Sequence, residues 1–362
     1  MKRLSCFSFV AVATVAGLTL VGLLLAWCAS TESSSASAAQ SHAGQSRSTA
    51  QVSAGSEFTV CTASGSQYNP AIYGDVVVWY DRRGTDSDIY GYDLSTGQEF
   101  TVCTASGSQY PPAIYGDVVV WGDWRGTDLD IYGYDLSTRQ EFTVCTASDD
   151  QYAPAIYGDV VVWYDRRDAD PDIYGYDLST GQEFTVCTAS DSQYNPAIYG
   201  DVVVWQDWRG TDSDIYGYDL NTGQEFTVCT ASDNQSLPTV YGDIVVWEDL
   251  RGSTFMGHVY GYDLSTGQEF TICIAAGEPE PAIHGDVVVW ADDRGADPDI
   301  YGYDLSTGQE FTVCTASGNQ WGSDVYGGIV VWQDNRGADW DIYGRQIRFR
   351  VFLPLIMRNH GP

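Results

Sequence analysis

From residue 57 to about residue 347, apolar and polar side chains alternate in short runs broken by turn residues, and no stretch carries a helical period of useful length. One stretch shows the pattern. Pro112-Ala-Ile-Tyr-Gly-Asp-Val-Val-Val-Trp121 holds two extended runs that meet at Tyr115-Gly116-Asp117, a sequence suited to a hairpin turn. A polar loop follows, Asp123-Trp-Arg-Gly-Thr-Asp-Leu-Asp130. Ile131-Tyr-Gly-Tyr-Asp-Leu136 then alternates as a third strand, and a Ser-Thr turn leads to a fourth, Glu141-Phe-Thr-Val-Cys-Thr146.

The four-strand unit recurs. Phe58, Phe100, Phe142, Phe184, Phe226, Phe270 and Phe311 are spaced by 42, 42, 42, 42, 44 and 41 residues, and seven tryptophans from Trp79 to Trp332 keep step with them. Four short antiparallel strands per repeat is the size of one propeller blade, so the pattern predicts an all-β, seven-bladed β-propeller over residues 57–347. The chain ends predict how the ring closes. Residues 57–62 form a fourth-strand sequence with no first three strands before it, while the last unit has three strands and no following Ser-Thr-Gly turn. The N-terminal strand is therefore expected to complete the last blade, which removes the two open sheet edges.

The unit Pro-Ala-Ile-Tyr-Gly-Asp-Val-Val-Val-Trp, followed by Asp-x-Arg-Gly-x-Asp-x-Asp-Ile-Tyr-x-Tyr-Asp-Leu, resembles the repeat of TolB-like β-propellers and related microbial cell-surface propeller proteins. That resemblance covers the seven repeats and implies the fold. It implies less about function, because such repeats serve envelope scaffolds, carbohydrate-active proteins and the gating domains of peptidases. The TolB protein itself would carry a separate α/β domain, and residues 30–56 offer no counterpart.

Ahead of the repeats, Lys2 and Arg3 precede an uncharged, largely apolar stretch from Leu4 to Thr31. Residues 1–29 are read as a signal peptide or membrane anchor, which places the rest outside the cytoplasm. Cys28 follows Leu25-Ala26-Trp27, an imperfect lipoprotein box, so cleavage, anchoring and lipidation all stay open. Residues 30–56 are rich in Ser, Ala, Gln and Thr and read as a disordered tether. Residues 348–362 form a basic and apolar tail.

Charge narrows the function. With 17 basic and 49 acidic side chains the 362-residue chain has a formal charge of −32, and its only lysine is Lys2. Nucleic-acid recognition needs clustered Lys or Arg and is not expected. The aspartates in the second-to-third loops raise the question of calcium, and the best run is Asp168, Asp170 and Asp172. The run lacks the expected glycine, so the favoured reading has Asp81, Arg83 and their counterparts binding each other and the loop amides. No cofactor is required on this reading. Seven cysteines from Cys61 to Cys314 occupy one equivalent position, too far apart for disulfides between blades, and read as small buried strand residues. The four histidines show no zinc-type spacing, and no nucleophile elbow or phosphate-binding glycine loop occurs.

Variation among the repeats points instead to binding. Arg82, Trp124, Arg166 and Trp208 stand at one varying loop position, and Tyr68, Tyr110, Tyr152, Tyr194 and Trp321 mark what the pattern places as interblade loops on the same face. Aromatics beside arginine and carboxylate can stack on sugar rings or anchor a protein. The expectation is an exported, monomeric, non-enzymatic scaffold for proteins or polysaccharides at the cell envelope, touching the membrane only through its N-terminal segment. The alternative is a carbohydrate-active enzyme or a peptidase-associated subunit.

Overall fold

The structure is a computed structural model that describes residues 51–350 apart from 253–255 and 275–276. The expected signal or anchor, Cys28, most of the tether and the tail beyond residue 350 lie outside the described residues. The described chain folds into seven four-stranded antiparallel sheets, each a blade, with every described strand belonging to one of them. Blade 1 consists of Gln67–Tyr73, Val76–Asp81, Asp88–Asp93 and Gln98–Cys103, and blades 2 to 6 repeat that order.

The second strand explains why the blades stack. Val77, Val78 and Trp79 are fully buried, as are their counterparts in every blade, because this strand is covered on both faces by neighbouring sheets. Clusters of valine, isoleucine, cysteine and tryptophan therefore form between adjacent blades. The hairpin between the first two strands turns at Gly74 (φ +60°), whose counterparts in all seven blades are also glycines in the left-handed region. Within the third strand Gly91 lies opposite Phe100, and a Cβ at that position would come within 2.4 Å of the phenylalanine ring. The Ile-Tyr-Gly-Tyr motif thus makes room for the phenyl ring of the outer strand.

Ring closure follows the expected route with a longer strand. Gln51–Cys61 pairs antiparallel with Asp341–Arg350 and completes blade 7 beside Ile329–Asp334 and Gln320–Tyr326. The strand begins at Gln51 rather than at residue 57, because Gln51 to Ala54 find partners from Arg350 to Ile347 across a bulge. Residues 51–54 of the expected tether and 348–350 of the expected tail are therefore backbone-paired. Side chains repeat the joint: Phe58 covers Gly344 as Phe100 covers Gly91, and Glu57 accepts from Arg336 at 2.5 Å.

Candidate functional site

Two layers of polar chemistry emerge, one identical in every blade and one that varies. The identical layer sits between blades. Asp81 is fully buried at the end of its strand, where it accepts from the indole N–H of Trp79 (3.0 Å), the backbone N–H of Arg83 (2.8 Å) and the Arg83 guanidinium (2.7 Å). The same guanidinium forks onto Glu99 at 2.7 and 3.1 Å and lies 4.0 Å over the Tyr90 ring. Two carboxylates hold its proton well beyond the ordinary arginine range. The preceding blade's Cys61 completes the contact, its Sγ 3.5 Å from both Arg83 and Glu99. Ion pairs of this form occur in all seven blades, so the expected Asp–Arg pairing is present and extends to Glu and Cys. The seven cysteines are buried and free, and burial pushes Cys61 up to about 12, which favours the protonated thiol.

The varying layer lies on the loop face, where the strand-start aromatics meet the second-to-third loops. Tyr68, Tyr110, Tyr152, Tyr194 and Trp321 are not loop residues as the pattern placed them. Each is the second residue of a first strand, because the strand extends back to a buried glutamine that caps the loop: Gln67 donates to the carbonyls of Ala63 and Gly65. Pairing sets Tyr68 opposite Tyr80 with ring centroids 5.3 Å apart, and Arg82 lies over both rings at 5.3 and 5.9 Å. Tyr110 of blade 2 approaches Tyr80 at 5.8 Å, and Trp340 of blade 7 approaches Tyr68 at 6.1 Å.

The arrangement occurs twice. Tyr152 stacks on Tyr164 at 5.1 Å, Arg166 lies 5.2 Å over Tyr152, and Tyr194 meets Tyr164 edge-on at 5.2 Å. Each residue stands 84 positions after its counterpart in the first site, so a two-blade unit has been repeated. Arg82 and Arg166 are exposed and, unlike the adjacent Arg83 and Arg167, form no ion pair among the described residues. The second site opens into a groove of about 510 Å³ lined by Asp149, Asp150, Arg166, Asp168, Pro171 and Tyr194. Asp150 accepts from the Tyr152 hydroxyl at 2.7 Å, which fixes the ring that carries Arg166. Where this groove has Asp149, Asp150 and Asp168, the first site has Gly65, Ser66 and Gly84.

Trp124 and Trp208 occupy the corresponding loop position in blades 2 and 4, the first half-buried and the second 37% exposed. Trp321 is packed into the blade 6–blade 7 core. Of the calcium candidates, Asp172 is buried and pushed up to about 6 by that burial and by Asp168 and Asp170, while Asp168 accepts from the Tyr174 hydroxyl at 3.2 Å. Among the described residues no group of three or more His, Cys, Asp or Glu is arranged to hold a metal ion.

The central channel is lined by alternate residues of the seven first strands. Its floor is a ring of six tyrosines, from Tyr73 to Tyr326, and His284, with neighbouring centroids 4.4 to 4.7 Å apart. The interplanar angles of 46 to 52° are close to one seventh of a turn, as the blade symmetry dictates. Burial pushes Tyr115 up to about 12. His284 ends a strand inside this ring, and burial lowers its proton affinity. Above the floor the repeat supplies alanine in five blades, Thr239 in blade 5 and Asp324 in blade 7. The signal was present in the aligned repeats as single departures from Ala and Tyr, but it acquires meaning only when the ring brings positions 42 residues apart around one axis.

No family model and no curated protein sequence matches the chain. Solved structures do. TolB from Acinetobacter baumannii aligns with TM-score 0.54 at 19% identity, over 70% of this chain and 67% of that one. The fold is that of a TolB-like β-propeller. The propeller domain of the Trilobed protease from Pyrococcus furiosus, described as having an open velcro topology, aligns with TM-score 0.62 at 14% identity over 80% of this chain and 99% of that domain. An oligogalacturonate lyase from Vibrio parahaemolyticus aligns with TM-score 0.59 at 11% identity over 82% and 97%. At these identities the likeness is one of fold, shared by TolB and by the propellers of peptidases and lyases.

Proposed function

We propose that the chain is an exported, non-enzymatic propeller that binds glycans at the cell surface through its loop face. The observation that carries this reading is the doubled site: two guanidiniums without carboxylate partners among the described residues, each laid over the first ring of a stacked tyrosine pair, with a third tyrosine from the next blade. Tyrosine faces stack on the apolar face of a sugar ring, while guanidinium and nearby hydroxyls or carboxylates bond to its hydroxyls. Two sites on one rigid ring favour a repeating polymer over a single small molecule, because the second contact forms at high effective concentration. The apolar N-terminal segment after Lys2 and Arg3 supports export.

Titration of the full chain with soluble polysaccharides, one uronate-bearing (alginate) and one neutral (dextran), tests the reading. Saturable binding is expected to at least one of them. Arg82→Ala and Arg166→Ala should each weaken it about tenfold and together remove it. Equal binding by the double variant and the unmodified chain would assign the loop face another role.

A further inference from the structure

We propose that the central channel is a second, separate binding site, which takes a primary ammonium group and holds it on Asp324 above the tyrosine floor. Five blades place an alanine methyl at this level, and blade 7 places a carboxylate that is half-buried in the channel wall. Each Asp324 oxygen accepts one backbone N–H, from Ile72 and from Val325, both at 2.8 Å, so the carboxylate is fixed in position and keeps further lone pairs for a ligand. Next to it Ser323 replaces the proline that the other six blades carry. Ser323 is 7% exposed and lines the channel mouth, and its hydroxyl has no hydrogen-bond partner among the described residues. An orphaned buried hydroxyl beside a fixed carboxylate is a site lacking its donor.

The surroundings select the charge of that donor. Among the described residues the mouth is lined by Glu280 and Asp324 and by no lysine or arginine, and the chamber below by Asp324, His284 and tyrosines. His284 adds no positive charge, because its Nδ1 accepts from the backbone N–H of Gly327 at 3.3 Å and burial favours the neutral ring. Asp324 is raised to about 6 by the same enclosure, so its anion lacks a counter-charge. An alkylammonium offers three N–H donors, enough for the carboxylate and the serine hydroxyl together, and its carbon chain suits walls of alanine methyls and aromatic rings. The chamber encloses about 340 Å³, room for a small amine or a lysine-like side chain.

Calorimetric titration of the full chain near neutral pH, with n-butylammonium against its neutral isostere 1-butanol, tests the assignment. The ammonium should bind at least about tenfold more tightly, the value of one charge-assisted hydrogen bond. Asp324→Asn retains the shape and should reduce that preference to parity, Ser323→Ala should lower it several-fold, and Arg82→Ala with Arg166→Ala should leave it unchanged. The last comparison separates this site from the loop-face reading. Equal affinity for the two probes, no binding of either, or a preference that survives both Asp324→Asn and Ser323→Ala would overturn it. Should Asp324→Asn fail to fold, the probe comparison on the unmodified chain together with Ser323→Ala decides alone.

Discussion

Arg166 and Arg167 are neighbours in the chain and belong to different parts of the molecule. Arg167 is one of seven equivalent arginines, half-buried between blades, bonded to Asp165 at 2.6 Å and to Glu183 at 2.6 and 3.0 Å, and laid over Tyr174. Arg166 stands on the exposed rim over Tyr152, without a carboxylate partner, at a position the other blades fill with Trp, Leu, Asp or Asn as well as Arg. In a ring of near-identical blades, what every blade repeats must serve the interface that every blade shares. A residue that changes from blade to blade without disturbing that interface is free to serve a ligand.

The strongest test sets the two against each other. Arg167→Ala leaves Asp165 fully buried with only an indole and an amide to offset its charge, and should cost about 3 kcal/mol of stability. Arg166→Ala should change stability by less than about 0.5 kcal/mol while weakening glycan binding. Denaturant titration of both variants reads this directly. Similar losses in the two would mean that the rim is as structural as the interblade layer.

A second test asks whether the shared layer is fully optimised. Asp130, Asp172 and Asp214 begin the third strands of their blades, buried, and each is raised to about 6 by burial and then by neighbouring aspartates. For Asp214 those neighbours are Asp212 and Asp207, with Arg209 acting in the opposite direction. A carboxyl whose folded-state pKa exceeds its unfolded value near 3.9 stabilises the fold below that value, and the contribution is lost as pH rises through about 6. Asp214→Asn should therefore raise stability by about 1 kcal/mol at about pH 8 and change it little at about pH 4. The turn aspartates shift the other way: hydroxyl and amide donors hold Asp135 down to about 2, so acidification below about 4 removes their contribution. Melting curves across pH should show a maximum near about pH 5 that flattens on its alkaline side in Asp214→Asn. An unchanged alkaline limb would show that these buried carboxyls are already compensated.

How far the sequence carried this picture depends on the reach of each contact. The blades and the closing strand were legible because strand alternation is local and the repeat is nearly uniform. Asp81 with Arg83 was legible for the same reason, being two residues apart. Glu99 and Cys61 were not, since they join the pair only when the outer strand and the preceding blade come into place. The pairing of Tyr68 with Tyr80 under Arg82 needed the strand register, and Trp340 needed ring closure to reach Tyr68. The 84-residue doubling of Tyr80, Arg82 and Tyr110 is present in the letters, but it is twice the 42-residue period and shows only as a difference between alternate repeats. His284 and Asp324 were hidden most deeply, because a channel lining has no local periodicity of its own.

The smallest effect concerns a departure that serves neither layer. The turn between third and fourth strands ends in a glycine at φ near +70° in blades 1, 3, 4, 5 and 6, and in blade 2 the same place holds Arg139 at φ +59°. A side chain in the left-handed region costs about 1 kcal/mol, partly offset by the restricted freedom it confers on the unfolded chain. Arg139 is exposed, and nothing in the structure explains its presence there. Arg139→Gly should stabilise the ring by about 0.5 kcal/mol and leave both proposed sites untouched. A loss of stability or of binding would instead give the blade 2 turn a contact of its own, and would show that variation on the hairpin face also carries a function.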